Sequence, residues 1–164
     1  MAVKRILVPI DFSPDSLHAL TYARTFAKRF GAELLILHVV DQTYLASAAE
    51  LSAANPEFGK LLDEQWRSAR AQTERLGADL QKHGQRFRTM TKRGTPSQVI
   101  VDTAKRSGVD LIVMATHGRT GLAHMLIGSV AERVVRSAHC AVLTVRRADR
   151  KPAKPAKQMA RRHP

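Results

Sequence analysis

Residues 3–16 read V-K-R-I-L-V-P-I-D-F-S-P-D-S, and the two halves of this stretch have different patterns. Residues 3–10 are largely apolar and partly β-branched, which is typical of a strand buried on both faces. Ser13 then stands where a helix N-cap belongs, and Pro14 and Asp15 suit the first helical turn. The stretch therefore predicts a buried strand that leads directly into a helix.

The same strand-then-helix unit repeats along the chain. We predict strands at residues 3–10, 34–40, 86–92, 109–115 and 141–146, the third of them at a sheet edge. Helical spacing of apolar residues predicts helices at about residues 14–30, 56–83, 95–107 and 128–138. Apolar strands that alternate with amphipathic helices indicate a parallel sheet covered on both faces. With right-handed crossovers this gives a single, doubly wound (Rossmann-like) α/β domain of five strands in the order 3-2-1-4-5.

Charge divides the chain into a body and a tail. The net charge is +13, of which residues 147–164 contribute +6 and the remainder +7. We predict a domain at residues 1–147 and a basic disordered tail at 148–164. A basic body favours anionic ligands in general. The tail lacks interleaved aromatic residues, so we expect non-specific, salt-sensitive contacts at most and no specific nucleic-acid binding.

Several classes of protein are disfavoured by the sequence. No apolar run approaches the roughly 20 residues that span a bilayer, and we expect no membrane association. Cys140 is the single cysteine, so no intrachain disulfide can form, and we expect a cytoplasmic protein. Cys140 has no neighbouring cation and base in the sequence that would indicate a catalytic thiolate. His38 falls in a predicted buried strand, which is typical of a core histidine. The P-loop motif of many NTPases is absent.

Residues 114–129, M-A-T-H-G-R-T-G-L-A-H-M-L-I-G-S, join a predicted strand to a predicted helix. Glycines such as Gly118 let the backbone approach a ligand closely. Gly128 and Ser129, at a helix start, offer N–H groups, the positive end of the dipole and a hydroxyl, which suits a phosphate. Arg119 would add charge. A plain loop that needs glycines for its turns explains the stretch equally well.

The predicted topology indicates where a ligand would lie. Doubly wound sheets bind ligands outside the carboxyl ends of their strands, where the strand order reverses. The first four predicted strands are followed by Asp11, residues 39–41, Gly94 and residues 115–118, in that order. We expect these residues to lie together at the carboxyl ends of the strands, which we call the carboxyl edge of the sheet.

Together these motifs resemble the universal stress protein family, in its adenine-nucleotide-binding form. The segments I-L-V-P-I-D-F-S and L-H-V-V-D resemble the ends of the family's first two strands. The family's nucleotide motif is G-x2-G-x9-G-[S/T], and Gly118, nine residues and then Gly128-Ser129 match its second glycine and its end. The continuation V-A-E-R-V-V-R-x-A-x-C-x-V-L-T-V-R is also typical. The resemblance covers residues 1–147.

The resemblance implies a site for ATP or a related adenine nucleotide, with Mg²⁺. Asp11 would lie near the ribose or a phosphate-bound metal, and Val39 and Met114 would flank the adenine. The phosphates would be held by Gly118, Gly128 and Ser129, with the N–H of Val130 nearby. The other residues placed at the site are Pro9, Ile10, Gly94, Ala115, His117 and Arg119.

These roles have structural alternatives. Asp11 would otherwise only cap the helix that starts near Ser13, and Val39 and Met114 would be ordinary core residues. Ser129 is expected to be a helix N-cap in either case. His117 would touch phosphate or transfer a proton, or else pack as a loop residue.

One position departs from the family motif. Ala115 replaces the first glycine, and its methyl group would crowd a nucleotide if the backbone must lie against it. A negative φ would let the alanine be tolerated.

The resemblance also implies a homodimer, formed by antiparallel pairing of the last strand, residues 141–146. We expect a regulatory or sensing dimer in the stress response, without robust turnover. Residues 42–56 would cover the site or form a neutral insertion. One alternative is a slow ATPase or phosphotransferase that uses Asp11 and His117. Another is a stress or chaperone-like dimer whose nucleotide site is blocked by Ala115.

Overall fold

The computed structural model describes residues 2–42, 56–82, 84–116 and 128–147. The strands in these ranges are β1 (Arg5–Ile10), β2 (Glu33–Asp41), β3 (Phe87–Gly94), β4 (Leu111–Ala115) and β5 (Ala141–Val145). The helices are α1 (Pro14–Phe30), α2 (Pro56–Gln81), α3 (Pro96–Arg106) and α4 (Ser129–Ser137). The predicted alternation of strands and helices is confirmed, with ends that differ by one or two residues.

The five strands form one parallel sheet in the order β3-β2-β1-β4-β5, so the predicted doubly wound topology is confirmed. Strand β1 pairs with β2 over six residue pairs. It pairs with β4 only at Ile6↔Leu111 and Leu7↔Ile112, near the amino ends of the strands. The chain order reverses between β1 and β4, which makes their carboxyl ends the switch point of the sheet.

Each face of the sheet packs its own hydrophobic core. Ile6, Val8 and Ile10 point to the face covered by α1 and α2. Leu7 points to the opposite face, under α3 and α4, because successive side chains of a strand alternate. Ile6, Leu7 and Val8 are fully buried. Burial of such a side chain stabilises the fold by about 1.5–3 kcal/mol.

The caps of α1 follow the sequence prediction. Ser13 is the N-cap, and its hydroxyl oxygen accepts the backbone N–H of Ser16 at 3.2 Å. Gly31 ends the helix with a left-handed φ of 65°, and its N–H donates to Ala27. Both caps fix the points at which the chain leaves β1 and enters β2.

Some predictions fall outside the described residues. These are most of the 42–56 segment, the loop at residues 117–127 and the tail at 148–164. Of the helices that the structure describes, none combines the length and apolar character needed to cross a membrane.

Candidate functional site

A backbone hydrogen bond connects the carboxyl end of β4 to the start of α4. The N–H of Gly128 donates to the carbonyl of Thr116 at 2.7 Å, and the N–H of Thr116 donates to Val145 at 3.0 Å. Thr116, which follows β4, and Gly128, which precedes α4, therefore lie side by side. This bond holds the amino end of α4 against the switch point.

The structure corrects the expected role of Ser129. Gly128, not Ser129, is the N-cap of α4, with φ −69° and ψ 151°. The bond from Gly128 to Thr116 holds this residue outside the helix, while its carbonyl already accepts the N–H of Glu132 at 3.0 Å. Ser129 is thus the first helical residue. The first-turn N–H groups of Ser129 and Val130 are not used by the helical ladder, and they lie at the positive end of the dipole.

Asp11 follows β1 and shapes the turn into α1. Its Oδ1 accepts the N–H of Ser13 at 3.0 Å, and its own N–H donates to the Ser16 hydroxyl oxygen at 3.3 Å. The capping alternative is therefore correct in part: Asp11 supports the cap residue, while Ser13 itself caps the helix.

Sequence reasoning missed Phe12, the residue after Asp11. Its φ is 62°. A left-handed conformation is strained for a bulky side chain and costs about 1–3 kcal/mol. The ring packs against that of His38, with the centroids 4.8 Å apart. A left-handed phenylalanine leaves no signal in a sequence, because bulky residues rarely adopt this conformation.

His38 ties the carboxyl ends of β1 and β2 together. Its Nδ1 lies 2.8 Å from the carbonyl oxygen of Ile10. A carbonyl oxygen can only accept, so Nδ1 carries the proton and donates it. His38 is 6% exposed, which confirms the prediction of a core histidine. The contacts of His38 with Ile10 and Phe12 fix the turn that carries Asp11.

Two residues expected at the adenine, Val39 and Met114, lie on the same face of the sheet. Met114 is 5% exposed in the core under α3 and α4, and Val39 and Val130 pack against that same core. Met114 is thus largely a core residue, as its structural alternative holds, whereas Val39 is half-buried. Three elements bring these apolar side chains together near the switch point.

Pro9 and Ile10 are placed differently. Pro9 is half-buried on the strand that borders the switch point. The Ile10 side chain is buried in the other core, on the face covered by α1, so the structure does not bring it to Val39. Within this turn, Ile10 offers its backbone carbonyl, which His38 already engages.

The methyl group of Ala115 lies in the core. Ala115 is 8% exposed and packs in the cluster beneath α1, on the face opposite Met114. Among the described non-glycine residues, positive φ occurs only at Phe12, so Ala115 sits in an unstrained conformation. Replacement of the motif's first glycine therefore fits this fold without backbone strain.

Gly94 ends β3 in a conformation that requires glycine. Its φ is 135°, and a Cβ built there would lie 2.9 Å from Cγ2 of Val99. Its carbonyl accepts the N–H of Gln42 at 3.4 Å. Packing of β3 against α3 thus explains the glycine, and β2 separates it from β1.

Lys92 is a second residue that sequence reasoning missed. It is the register partner of Val39, and its Nζ donates to Oγ1 of Thr103 at 2.8 Å in a part-buried setting. This bond places a cation near the carboxyl edge. A single lysine in a weakly alternating strand gave no signal of that position.

Cys140 precedes β5 and lies away from this edge. Burial raises the pKa of its thiol, and the nearby Asp110 carboxylate raises it further. Both effects disfavour the thiolate, which agrees with the expectation of an unreactive cysteine.

Three expected site residues, His117, Gly118 and Arg119, lie outside the described part of the chain. Their roles stay predictions. The described residues bring Asp11, Val39, Met114 and the Gly128–Val130 turn to the carboxyl edge, and they leave Gly94 at its outer end.

The model of the universal stress protein family matches residues 2–146. Universal stress protein MJ0531 of Methanocaldococcus jannaschii is 38% identical over 145 residues, which cover 88% of this chain and 82% of that protein.

Solved structures give the same result. That of MJ0577, from the same organism, has a TM-score of 0.79 at 30% identity and covers 91% of this chain and 99% of its own. A family protein of Arabidopsis thaliana with AMP bound shares the fold, with a TM-score of 0.60 at 23% identity over 93% and 98% of the two chains. The chain belongs to the universal stress protein family.

Proposed function

We propose that this protein binds ATP or a related adenine nucleotide at the carboxyl edge of its sheet and acts as a regulatory or sensing homodimer in the cytoplasm. The observation that carries the proposal is the 2.7 Å hydrogen bond from Gly128 to Thr116. It sets the positive end of α4 at the switch point, where doubly wound sheets take their ligands.

The phosphates would meet the first turn of α4. The N–H groups of Ser129 and Val130 and the Ser129 hydroxyl are donors of the kind that a phosphate accepts. His117, Gly118 and Arg119 would contribute from the loop between Thr116 and Gly128. A nucleotide held across that loop would change a surface that a partner protein reads.

The adenine and ribose would lie nearer to β1 and β2. Val39 supplies a half-buried apolar surface beside the core that holds Met114. Asp11, in the turn held by His38 and Phe12, presents a carboxylate to the ribose or to Mg²⁺, which prefers oxygen ligands. The bound Mg²⁺ would neutralise phosphate charge.

The residues present fit such a ligand. The buried methyl of Ala115 and its unstrained backbone weigh against the alternative in which this alanine blocks the site. The family protein of Arabidopsis thaliana that shares this fold has AMP bound, which supports an adenine nucleotide as the ligand.

The homodimer rests on the position of β5. This strand is at the edge of the sheet, with β4 as its sheet neighbour in the described residues. Antiparallel pairing of residues 141–146 with a second copy would satisfy the exposed edge. Thr144→Asp would place like charges on the two paired strands, and sedimentation velocity should then show a monomer in place of a dimer. A variant that sediments as the wild type does would contradict pairing through β5.

The nucleotide site is tested by calorimetric titration with Mg·ATP. Ser129→Ala removes one hydroxyl at the start of α4 and should weaken binding about tenfold or more, since hydrogen bonds to charged groups contribute about 1.5–3 kcal/mol. Ser137→Ala, at the opposite end of the same helix, is the matched control and should leave affinity unchanged. Equal affinities for the two variants would contradict the proposed placement of the phosphates.

Ala115→Gly distinguishes the blocked-site alternative. Because the methyl group is buried in the core, this change should leave nucleotide affinity within about twofold of the original, allowing for ordinary variation at a site that is not contacted. A wild-type protein that binds no ATP, paired with an Ala115→Gly variant that does, would establish the block instead.

A further inference from the structure

The amino edge of the sheet, opposite the proposed nucleotide site, carries two adjoining depressions. Their volumes are about 560 and 710 Å³, and Gly31 and Arg86 line both. We refer to them together as the basic groove, whose cationic lining residues are Lys4, Arg5, Arg24, Lys28, Arg29 and Arg86.

Acidic residues offset little of this charge. Glu33 is the carboxylate among the described lining residues, and it is shared by Arg5 at 3.7 Å and Arg88 at 2.8 Å. Lys28 and Arg29 belong to the last turn of α1, where cations favour the helix dipole. The helix dipole therefore explains the presence of Lys28 and Arg29, but it does not explain the other four cationic residues of the groove.

Several of these side chains form no ion pair with a carboxylate of the described residues. In the part of the chain that the structure describes, no ion pair involves Lys4, Arg24, Lys28 or Arg29. Arg86 instead donates from Nη2 to the carbonyl of Gly31, which fixes its guanidinium in the groove. The described residues thus give the groove an excess of positive charge, with the Arg86 guanidinium held in place.

An aromatic side chain is exposed within this charge. Phe30 lines the groove beside Lys4 and Arg29, and it is 51% exposed. Its ring stacks with that of Phe26, with centroids 6.1 Å apart and an interplanar angle of 6°, which holds it in place. Cations that follow a phosphate chain, together with an aromatic face for a base, form the usual combination at single-stranded nucleic-acid sites.

We propose that the basic groove binds single-stranded nucleic acid without sequence preference, with phosphates against its cations and one base on Phe30. Because Phe30 offers an aromatic face, we expect the groove to prefer a nucleic acid to a polyanion that has no bases. For the same reason we expect it to prefer a single strand, whose bases are exposed, to a duplex. The groove and the nucleotide site lie at opposite edges of the sheet, so this proposal stands independently of nucleotide binding. It also differs from the sequence-based expectation of tail contacts, because it assigns the binding to the folded domain.

The charge contribution is tested by fluorescence anisotropy of a labelled, mixed-sequence RNA of about twelve nucleotides, a length suited to one such site. The full chain is used, with saturating ATP. Arg24→Gln/Lys28→Gln should weaken binding about tenfold and reduce the salt slope by about 1.4, as expected for two lost phosphate contacts on a single strand. Lys105→Gln/Arg133→Gln removes two exposed cations elsewhere and should change affinity less than about threefold, as a non-contacting control.

The stacking contribution is tested at Phe30. Phe30→Leu should weaken binding about fivefold, whereas Phe30→Trp should retain it, because a base needs an aromatic face. A thermal melt verifies that each variant is folded. Equal losses in the groove pair and the control pair would overturn the proposal and assign binding to the tail. Competition by duplex RNA or inorganic polyphosphate as strong as by the single strand, or no effect of Phe30→Leu, would overturn the single-strand assignment.

Discussion

The carboxyl and amino edges of the sheet are built in different ways. At the carboxyl edge, backbone groups set the geometry: Gly128 is bonded to Thr116, Phe12 is held in a strained conformation, and Gly94 has a φ that only glycine adopts readily. At the amino edge, long charged side chains determine the surface. Arg86 donates to the carbonyl of Gly31, and Glu33 forms an ion pair with Arg88. The first edge is therefore sensitive to small changes of shape, and the second to changes of charge.

The largest expected loss of stability is at Gly94, a glycine with positive φ at the carboxyl edge. Gly94→Ala, at the carboxyl edge, adds backbone strain and a Cβ that would lie 2.9 Å from Val99. We expect it to lower the free energy of unfolding by about 3 kcal/mol.

Gly31→Ala, at the amino edge, is the matched comparison. Gly31 has a φ of 65°. A Cβ added there would meet nothing within 4 Å. Only the left-handed conformation is then unfavourable, and it costs about 1–2 kcal/mol. Urea denaturation measures both variants. Equal losses would show that crowding at Gly94 is relieved by movement of α3.

The next largest expected loss of stability is at the buried His38, and the exposed His139 is its control. His38→Ala removes a buried ring and the donor to the Ile10 carbonyl. This should lower the free energy of unfolding by about 2–3 kcal/mol. His139 is exposed and precedes β5. Surface substitutions such as His139→Ala usually change the free energy of unfolding by no more than about 0.5 kcal/mol.

Urea denaturation of the two histidine variants checks this difference. If His38→Ala also weakens nucleotide binding, the turn at Asp11 depends on the bond from His38 to Ile10. A His38→Ala protein as stable as the wild type would refute the structural role given to the ring.

Charge at the amino edge should have a smaller effect on stability. Glu33→Gln frees Arg5 and Arg88 from their ion pairs. Because such partly exposed pairs are weak, we expect a loss below about 1 kcal/mol. The loss should shrink at high salt, where exposed charges are screened. Denaturation at two salt concentrations measures this. A loss as large as that of Gly94→Ala would mean that the amino edge is not limited to weak electrostatics.

The smallest effect concerns Cys140, also at the amino edge. Burial and the Asp110 carboxylate both raise the pKa of this thiol, so less thiolate is present at a given pH than for an ordinary cysteine. Asp110→Asn should lower the pKa and modestly accelerate labelling by a disulfide reagent under mildly alkaline conditions, whereas the exposed control Asp102→Asn should not. Labelling rates measured against pH test this, and a slower rate in Asp110→Asn would reverse the assigned sign.

The fold could be predicted because its signals are local. The buried strands are apolar on both faces, the caps of α1 are marked by Ser13 and Gly31, and the alternation of elements leaves few topologies. The N-cap of α4 was misplaced by one residue because the bond that fixes it joins Gly128 to Thr116 across the loop. That contact is not visible in the local pattern.

The candidate site was predicted less completely. Asp11 and Val39 followed from the ends of strands, whereas Phe12 and Lys92 depend on backbone strain and on a contact between β3 and α3. The basic groove was not predicted, because its cations are far apart in the chain and come together only at the folded amino edge.

The most direct test of nucleotide binding is native mass spectrometry of the gently purified protein, with acid extraction and chromatographic identification of any ligand. We expect a dimer that carries about one adenine nucleotide per chain, because each domain has one switch-point site. A protein that stays without nucleotide at millimolar ATP, although the Gly128 and Ser129 turn is intact, would contradict it.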